Sequence, residues 1–324
     1  MPNPQAQAVL ADLARKKAVQ TEPEDAEQEL AQARAMTGSL KDYSGEAPTG
    51  VASEDIVVER LAGSQDETRG GSSGKTAAGP IPVRLYRPAA PHQGLLVWYH
   101  GGGAMAGSLD GHDVALRQLS ATTGRLLASV DYRLAPEHVS PAPQEDCIAA
   151  TRALIGRARE LGCDPRRVAI GGDSIGGLFA AVVALALRDA GEAMPEKLVM
   201  LYPNTDLRPD RRFASLESEA GNVMTEASLA YENGLFVPDP AGRADPVVSP
   251  LLASDLSGLP ETLLVTCEND PLRDEGEAFA RRLEEVGVAT VTQRFDGMIH
   301  GFLQMDGWIG EAVALRQTVA RFLA

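Results

Sequence analysis

The chain has only three cysteines in 324 residues, Cys147, Cys163 and Cys267, widely spaced and without a CxxC pair. That excludes a disulfide framework and a cysteine-built zinc site. Positive charge is also scarce: 30 Lys and Arg stand against 45 Asp and Glu, a formal net charge of −15. The field of such a chain repels polyanions, so nucleic acid and anionic membrane surfaces are excluded as partners. No apolar run is long enough to span a bilayer, and the start, MPNPQAQAVLADLARKKAVQ, has no basic region ahead of an apolar stretch. Secretion and membrane insertion therefore lack support, and a cytoplasmic protein is expected. Histidine is rare too, at five residues, which leaves few candidates for any role that needs an imidazole.

What is present is a regular alternation. The hydrophobic content of 44% and the length suit one large α/β domain with accessory segments. Val9, Leu10, Leu13 and Ala14 fall at helical spacing, and Thr21 with Glu24 forms a capping-box pattern around Pro23 that predicts a second helix opening there. DIVVERL (55–61) and IPVRLYRP (81–88) read as strands, and the Gly-, Ser- and charge-rich stretch between them is expected to be a mobile hairpin loop. Short apolar runs then alternate with helical patterns: strands at 94–100, 125–132, 167–172, 197–203, 262–267 and 290–295, and helices at 144–159, 176–188, 275–286 and 310–322. The pattern predicts a mainly parallel sheet covered on both faces. Almost sixty residues separate the strands at 197–203 and 262–267, with a helix near 225–235 and Pro238, Pro240, Pro246, Pro250 and Pro260 as punctuation, too long for a plain crossover. The expected organisation is an N-terminal helical cap segment (1–50), a catalytic core in two parts (51–203 and 248–324) and a cap insertion (204–247), the caps lying over the C-terminal sheet edge where open α/β sheets place their sites.

The sharpest local signal is Gly172-Asp173-Ser174-Ile175-Gly176, directly after one strand and before a helix. A nucleophile elbow needs that context, because small residues two before and two after the serine let the turn close. A glycine-rich turn with a chance serine is the bland alternative. A serine hydroxyl needs a base. His300, in a loop between the last strand and the last helix, falls at the same sheet edge, whereas His92 lies in a polar loop and His112 and His138 have no comparable position. A carboxylate should follow an earlier strand, and TLLVTCENDPLRDEG offers Asp270, with Glu268 in reserve; Asp274 and Glu275 fall in a first helical turn, where acids are common for dipole reasons. The order Ser, Asp, His is that of α/β-hydrolases. His100-Gly101-Gly102-Gly103 follows a strand and can aim backbone N–H groups inward. A phosphate cradle is the rival, but neither GK[ST] nor a complete dinucleotide fingerprint accompanies it. The oxyanion hole is assigned to the amides of Gly101, Gly102 and Ile175.

Together, YHGGG (99–103), DYRLAPEH (131–138), GDSIGG (172–177), DPLRDE (270–275) and HGF (300–302) resemble the bacterial hormone-sensitive lipase family of carboxylesterases, in family order from about residue 81 onward. The resemblance implies an α/β-hydrolase fold with a helical cap, ester hydrolysis by Ser174, His300 and Asp270, short to medium acyl esters as substrates, and neither metal nor cofactor. It favours Asp270 over Glu268 and gives DYRLAPEH a scaffold role beside the oxyanion loop. The expected partner is a small ester, with a homodimer left open. A deacetylase or lactonase for a specific metabolite is the alternative, since the same chemistry serves amides and lactones; a catalytically silent receptor is a further one, which loss of the serine or histidine would have favoured. Met224, Tyr231, Phe236 and Phe302 are candidates for the substrate pocket. Two departures stand out: the 63–80 loop is long, and Ile175 replaces the family's usual alanine after the serine. The branched side chain is expected to face the substrate or the oxyanion loop, with packing into the domain beneath the elbow as the alternative.

Overall fold

The computed structural model describes residues 1–60, 79–89 and 93–324. Residues 62–78 of the stretch read as a hairpin loop, and His92, lie outside the described residues, while Gly79 and Pro80 open the second strand.

Eight strands form one sheet: β1 (Val51–Arg60), β2 (Gly79–Pro88), β3 (Leu95–Tyr99), β4 (Leu126–Val130), β5 (Val168–Asp173), β6 (Lys197–Leu201), β7 (Glu261–Asn269) and β8 (Thr290–Ile299). Their order is β1-β2-β4-β3-β5-β6-β7-β8. The β1–β2 and β2–β4 pairings are antiparallel and all others parallel. Parallel neighbours need crossovers, supplied by the helices α3 (Leu109–Thr123), α4 (Ala142–Gly156), α5 (Ile175–Asp189) and α8 (Arg273–Glu285). Strand alternation divides the core: Leu95, Val97 and Tyr99 pack with α4, α5 and α8 on one face, while Leu96 and Trp98 pack on the other with α3 and the final helix α9 (Glu311–Leu323). Helix α5 is apolar on nearly all sides, as a helix buried all round must be.

Two expectations about helices fail. The helix α2 (Ala26–Gly38) opens at Asp25, not Thr21: the Asp25 side chain accepts from Gln28 N at 2.8 Å, and Gln28 reaches back to the Glu24 amide. Pro23 therefore stands ahead of the helix instead of inside its first turn. Helix α3 has no counterpart among the sequence expectations. Its buried stripe includes His112, Gln118 and Ser120 beside Leu109, Leu116 and Leu119, which blurs the apolar period.

The remaining helices sit at the C-terminal sheet edge. The first, α1 (Pro4–Ala18), is anchored where Asn3 N donates to Gly297 O at 2.9 Å. From α2, Arg34 donates to the carbonyls of Met105 at 2.8 Å and Ala135 at 3.0 Å. Between β6 and β7 come α6 (Ala214–Ser218) and α7 (Glu226–Phe236), the latter closed at its start by a Thr225–Ser228 capping box. Ser140 N donates to Phe236 O, joining the end of α7 to the loop after β4.

Candidate active site

Register brings the site together. Tyr99 pairs with Gly172, Asp173 with Leu201 and Asn269 with Ile299, so β3, β5, β7 and β8 end on one edge. Ser174, Asp270 and His300 are each the residue immediately after a strand, β5, β7 and β8 respectively.

Ser174 occupies φ 57°, ψ −124°, a region that a non-glycine residue adopts only when its surroundings impose it. The glycines show what imposes it: a Cβ on Gly176 would meet the Tyr99 carbonyl carbon at 2.6 Å and His100 O at 2.9 Å, and a Cβ on Gly172 would strike the Gly176 backbone. His300 Nε2 lies 2.9 Å from Ser174 Oγ, and His300 Nδ1 lies 2.8 Å from Asp270 Oδ2. Asp270 is buried, and its other oxygen accepts from Leu272 N at 2.8 Å. Glu268 turns away and accepts from Gly297 N at 2.6 Å. Burial pulls the His300 imidazole toward its neutral form, but the Asp270 charge and hydrogen bond, with Asp173 and Glu232 behind them, outweigh it and raise its pKa above the ordinary histidine value.

Beside the serine, Gly101 packs so closely that a Cβ there would lie 3.2 Å from Ser174 Cβ. Gly102 has φ 122°, and its carbonyl accepts from Ala106 N at 2.9 Å, which turns the loop back on itself. Among the described residues the amides of Gly101 and Gly102 donate no hydrogen bond. Ile175 is the first residue of α5, where an amide has no partner within the helix. The loop is braced from the DYRLAPEH segment: Tyr132 Oη donates to His100 O at 2.7 Å, Ala135 N to Ala104 O at 2.8 Å, and the His100 and Tyr132 rings stack at 4.3 Å. Burial, then the neighbouring His112, lowers His100 to about 4, so its ring is a neutral strut.

Several expectations need correction. Ile175 is 1% exposed and belongs to the core cluster with Leu178 and Phe179, so its side chain faces the domain interior, not substrate. Phe302 is fully buried against Tyr202 and Phe295, and Phe236 packs edge-on to Phe179; both are core residues and offer a substrate no surface. Met224 closes a small cluster with Leu229 and Leu272, while Tyr231 remains partly exposed. His112 is buried with Nε2 3.2 Å from Asp173 Oδ2. Glu275 does more than complement a helix dipole: it is buried, accepts from Thr205 N at 2.8 Å and ties the start of the 204–247 segment to α8. Two residues near the chemistry were not foreseen, Asn204, 3.4 Å from Ser174 Oγ, and Glu232, over Gly103. A cavity of about 800 Å³ is lined by Arg34, Ala106, His112 and Tyr132, among others, but by none of Ser174, Asp270 and His300.

Residues 96–304 match the family described as alpha/beta hydrolase fold. An ethyl acetate hydrolase of Pseudomonas putida is 39% identical over 237 residues, 72% of this chain and 74% of the relative. The chain belongs to the hormone-sensitive lipase family of α/β-hydrolase carboxylesterases. It is accordingly a carboxylic ester hydrolase. A carboxylic ester hydrolase of Mycobacterium tuberculosis, LipN, is 41% identical over 70% of this chain, the match spanning 62% of LipN. The esterase of the archaeon Pyrobaculum calidifontis superposes with a TM-score of 0.85 at 33% identity, covering 100% of this chain and 98% of that one. Among the described residues no helix is long and apolar enough to cross a membrane.

Proposed function

We propose that this carboxylesterase works through an acyl-enzyme, with Ser174 as nucleophile, His300 as general base and acid, and Asp270 as the group that orients and stabilises the imidazolium. His300 Nε2 takes the Ser174 proton as Oγ attacks the ester carbonyl. The oxyanion rests on the amides of Gly101, Gly102 and Ile175. Collapse of the tetrahedral adduct expels the alcohol, which takes the proton from Nε2, and water repeats the sequence on the acyl-enzyme, releasing the acid. The observation that carries this reading is the unbroken hydrogen-bond chain, 2.8 Å from Asp270 to His300 and 2.9 Å from His300 to Ser174.

Residues 1–50 and 204–247 form the cap in this reading and limit the acyl pocket, so the substrates are esters of short to medium acyl chains. The ethyl acetate hydrolase relative supports the short end of that range. The test is Ser174→Ala assayed on nitrophenyl esters from acetate to palmitate, beside N-acetyl and lactone substrates. Turnover is expected to fall to a residue of roughly 10³ to 10⁴ over water, supplied by the oxyanion hole and binding. Retention of more than a few per cent of the activity would refute the nucleophile, and palmitate outpacing butyrate would refute the chain-length range.

A further inference from the structure

Helix α7 turns Leu229, Asn233 and Phe236 inward. Glu232, three residues after Leu229 and four before Phe236, shares that face, at a position where the helical period calls for an apolar side chain. Its carboxyl group lies directly over the oxyanion loop: a Cβ on Gly103 would meet Glu232 Cδ at 2.8 Å and Cγ at 3.0 Å. Gly103 is two residues from Gly101, which itself packs on Ser174.

What distinguishes Glu232 from the other acids at this edge is its lack of a partner. Asp270 is held by His300 and Leu272 N, Asp173 by Trp98 Nε1 and His112, and Glu275 by Thr205 N and Arg211. Among the described residues Glu232 makes neither a hydrogen bond nor an ion pair. The cation on the neighbouring helix α2, Arg34, is committed to Glu137 at 2.6 Å and to the Met105 and Ala135 carbonyls. Burial raises the Glu232 carboxyl to about 7, with the His300 charge acting in the opposite direction. A partly desolvated carboxylate with no hydrogen bond or ion pair of its own, and only the more distant His300 to offset its charge, is costly to keep, and a cation brought by the ligand would supply the direct partner. The acidic chain as a whole favours the approach of such a ligand.

We propose that Glu232 is a specificity-determining residue that selects esters carrying an ammonium group within reach of the oxyanion loop. The inference rests on the reading of Ser174 and His300 as the hydrolytic machinery.

Two pairs of esters matched in shape and differing in charge test it: acetylcholine against 3,3-dimethylbutyl acetate places the cation on the alcohol side, and the ethyl ester of trimethylglycine against ethyl 3,3-dimethylbutanoate places it on the acyl side. The ratio of kcat/KM, cationic over neutral, is measured at pH 8 by titration of released acid for the wild type and for Glu232→Gln. In at least one pair the ratio should fall by about tenfold or more in the variant, the scale of one close charge pair at an interface. Equal ratios in both pairs would overturn the proposal. Should Glu232→Gln not fold, competition against nitrophenyl acetate in the wild type decides: choline should inhibit more strongly than 3,3-dimethylbutanol, or the ethyl ester of trimethylglycine more strongly than ethyl 3,3-dimethylbutanoate, and equal or weaker inhibition by the cation in both pairs overturns the proposal. Hydrolysis of nitrophenyl acetate that survives Ser174→Ala would sink the hydrolytic reading and this inference together, whereas Ser174-dependent hydrolysis with unchanged charge ratios would sink this inference alone.

Discussion

Replacing Ile175 by alanine separates the two jobs of the residue after the serine. Its amide belongs to the backbone at the start of α5 and survives the substitution, while its side chain, 1% exposed, fills core beside Leu178 and Phe179. Ile→Ala in a fully buried site costs about 2 to 5 kcal/mol in lost transfer energy and residual cavity. Alanine's better helix propensity returns only a few tenths of a kcal/mol. With an unfolding entropy of about 2.1 cal/mol/K per residue, each kcal/mol moves Tm of a 324-residue chain by roughly 1.5 °C. A drop on the order of 3 to 7 °C is therefore expected, without broadening of the acyl-length profile. Thermal melting by circular dichroism and a nitrophenyl ester series on the same preparation measure both quantities. An unchanged Tm with improved turnover of longer acyl esters would refute the reasoning and return Ile175 to the pocket wall.

Asp270→Asn should lower kcat by on the order of 10³ to 10⁴, because an amide cannot hold the imidazole in the required tautomer and charge state, while Glu268→Gln, altering a side chain that caps Gly297 N, should cost little; the opposite ranking would make Glu268 the acid. kcat/KM should fall on acidification, because a protonated His300 cannot accept the Ser174 proton. Since Asp270 and the more distant carboxylates overcome burial and raise the His300 pKa, the midpoint of that loss should lie above the ~6.5 of an unperturbed histidine. A flat profile from pH 5 to 9 would refute a histidine base.

The inner strands β3 to β7 were legible because each is a short apolar run, and Ser174, Asp270 and His300 stood out because each follows a strand. Position relative to a strand end is a one-dimensional property. Side-chain direction is not, and the misreadings follow that line. Ile175 borders the serine in sequence yet is buried in the core cluster with Leu178 and Phe179. Phe302 follows His300 by two residues but stacks between Tyr202 and Phe295. Helix α3 is hard to read in the sequence because its buried face carries His112 and Ser120, whose Nε2 and Oγ meet the Asp173 carboxylate and the Tyr86 and Arg125 carbonyls. The start of α2 was misplaced by one register of capping signals, with Asp25 and Gln28 prevailing over Thr21 and Glu24.

Acidity was the property least readable from sequence. Among 45 acids, Asp173, Asp270, Glu275 and Glu232 stand near one sheet edge, and their partners alone assign them different work. Burial raises the pKa of Asp173, but the His112 charge and hydrogen bond and the Trp98 N–H outweigh it, so the group stays ionised as a fixed charge beneath the elbow. Asp270 gives one oxygen to the backbone of its own turn and the other to His300, an arrangement that fixes the imidazole's orientation. Glu275 is spent on the Thr205 amide and Arg211, holding the 204–247 segment to the core. Glu232 has none of these obligations among the described residues and stands over Gly103. A carboxylate with its hydrogen bonds filled is committed to structure or to holding one imidazole, whereas one left unfilled, as at Glu232, is available to a cationic ligand, which is what the matched ester pairs test.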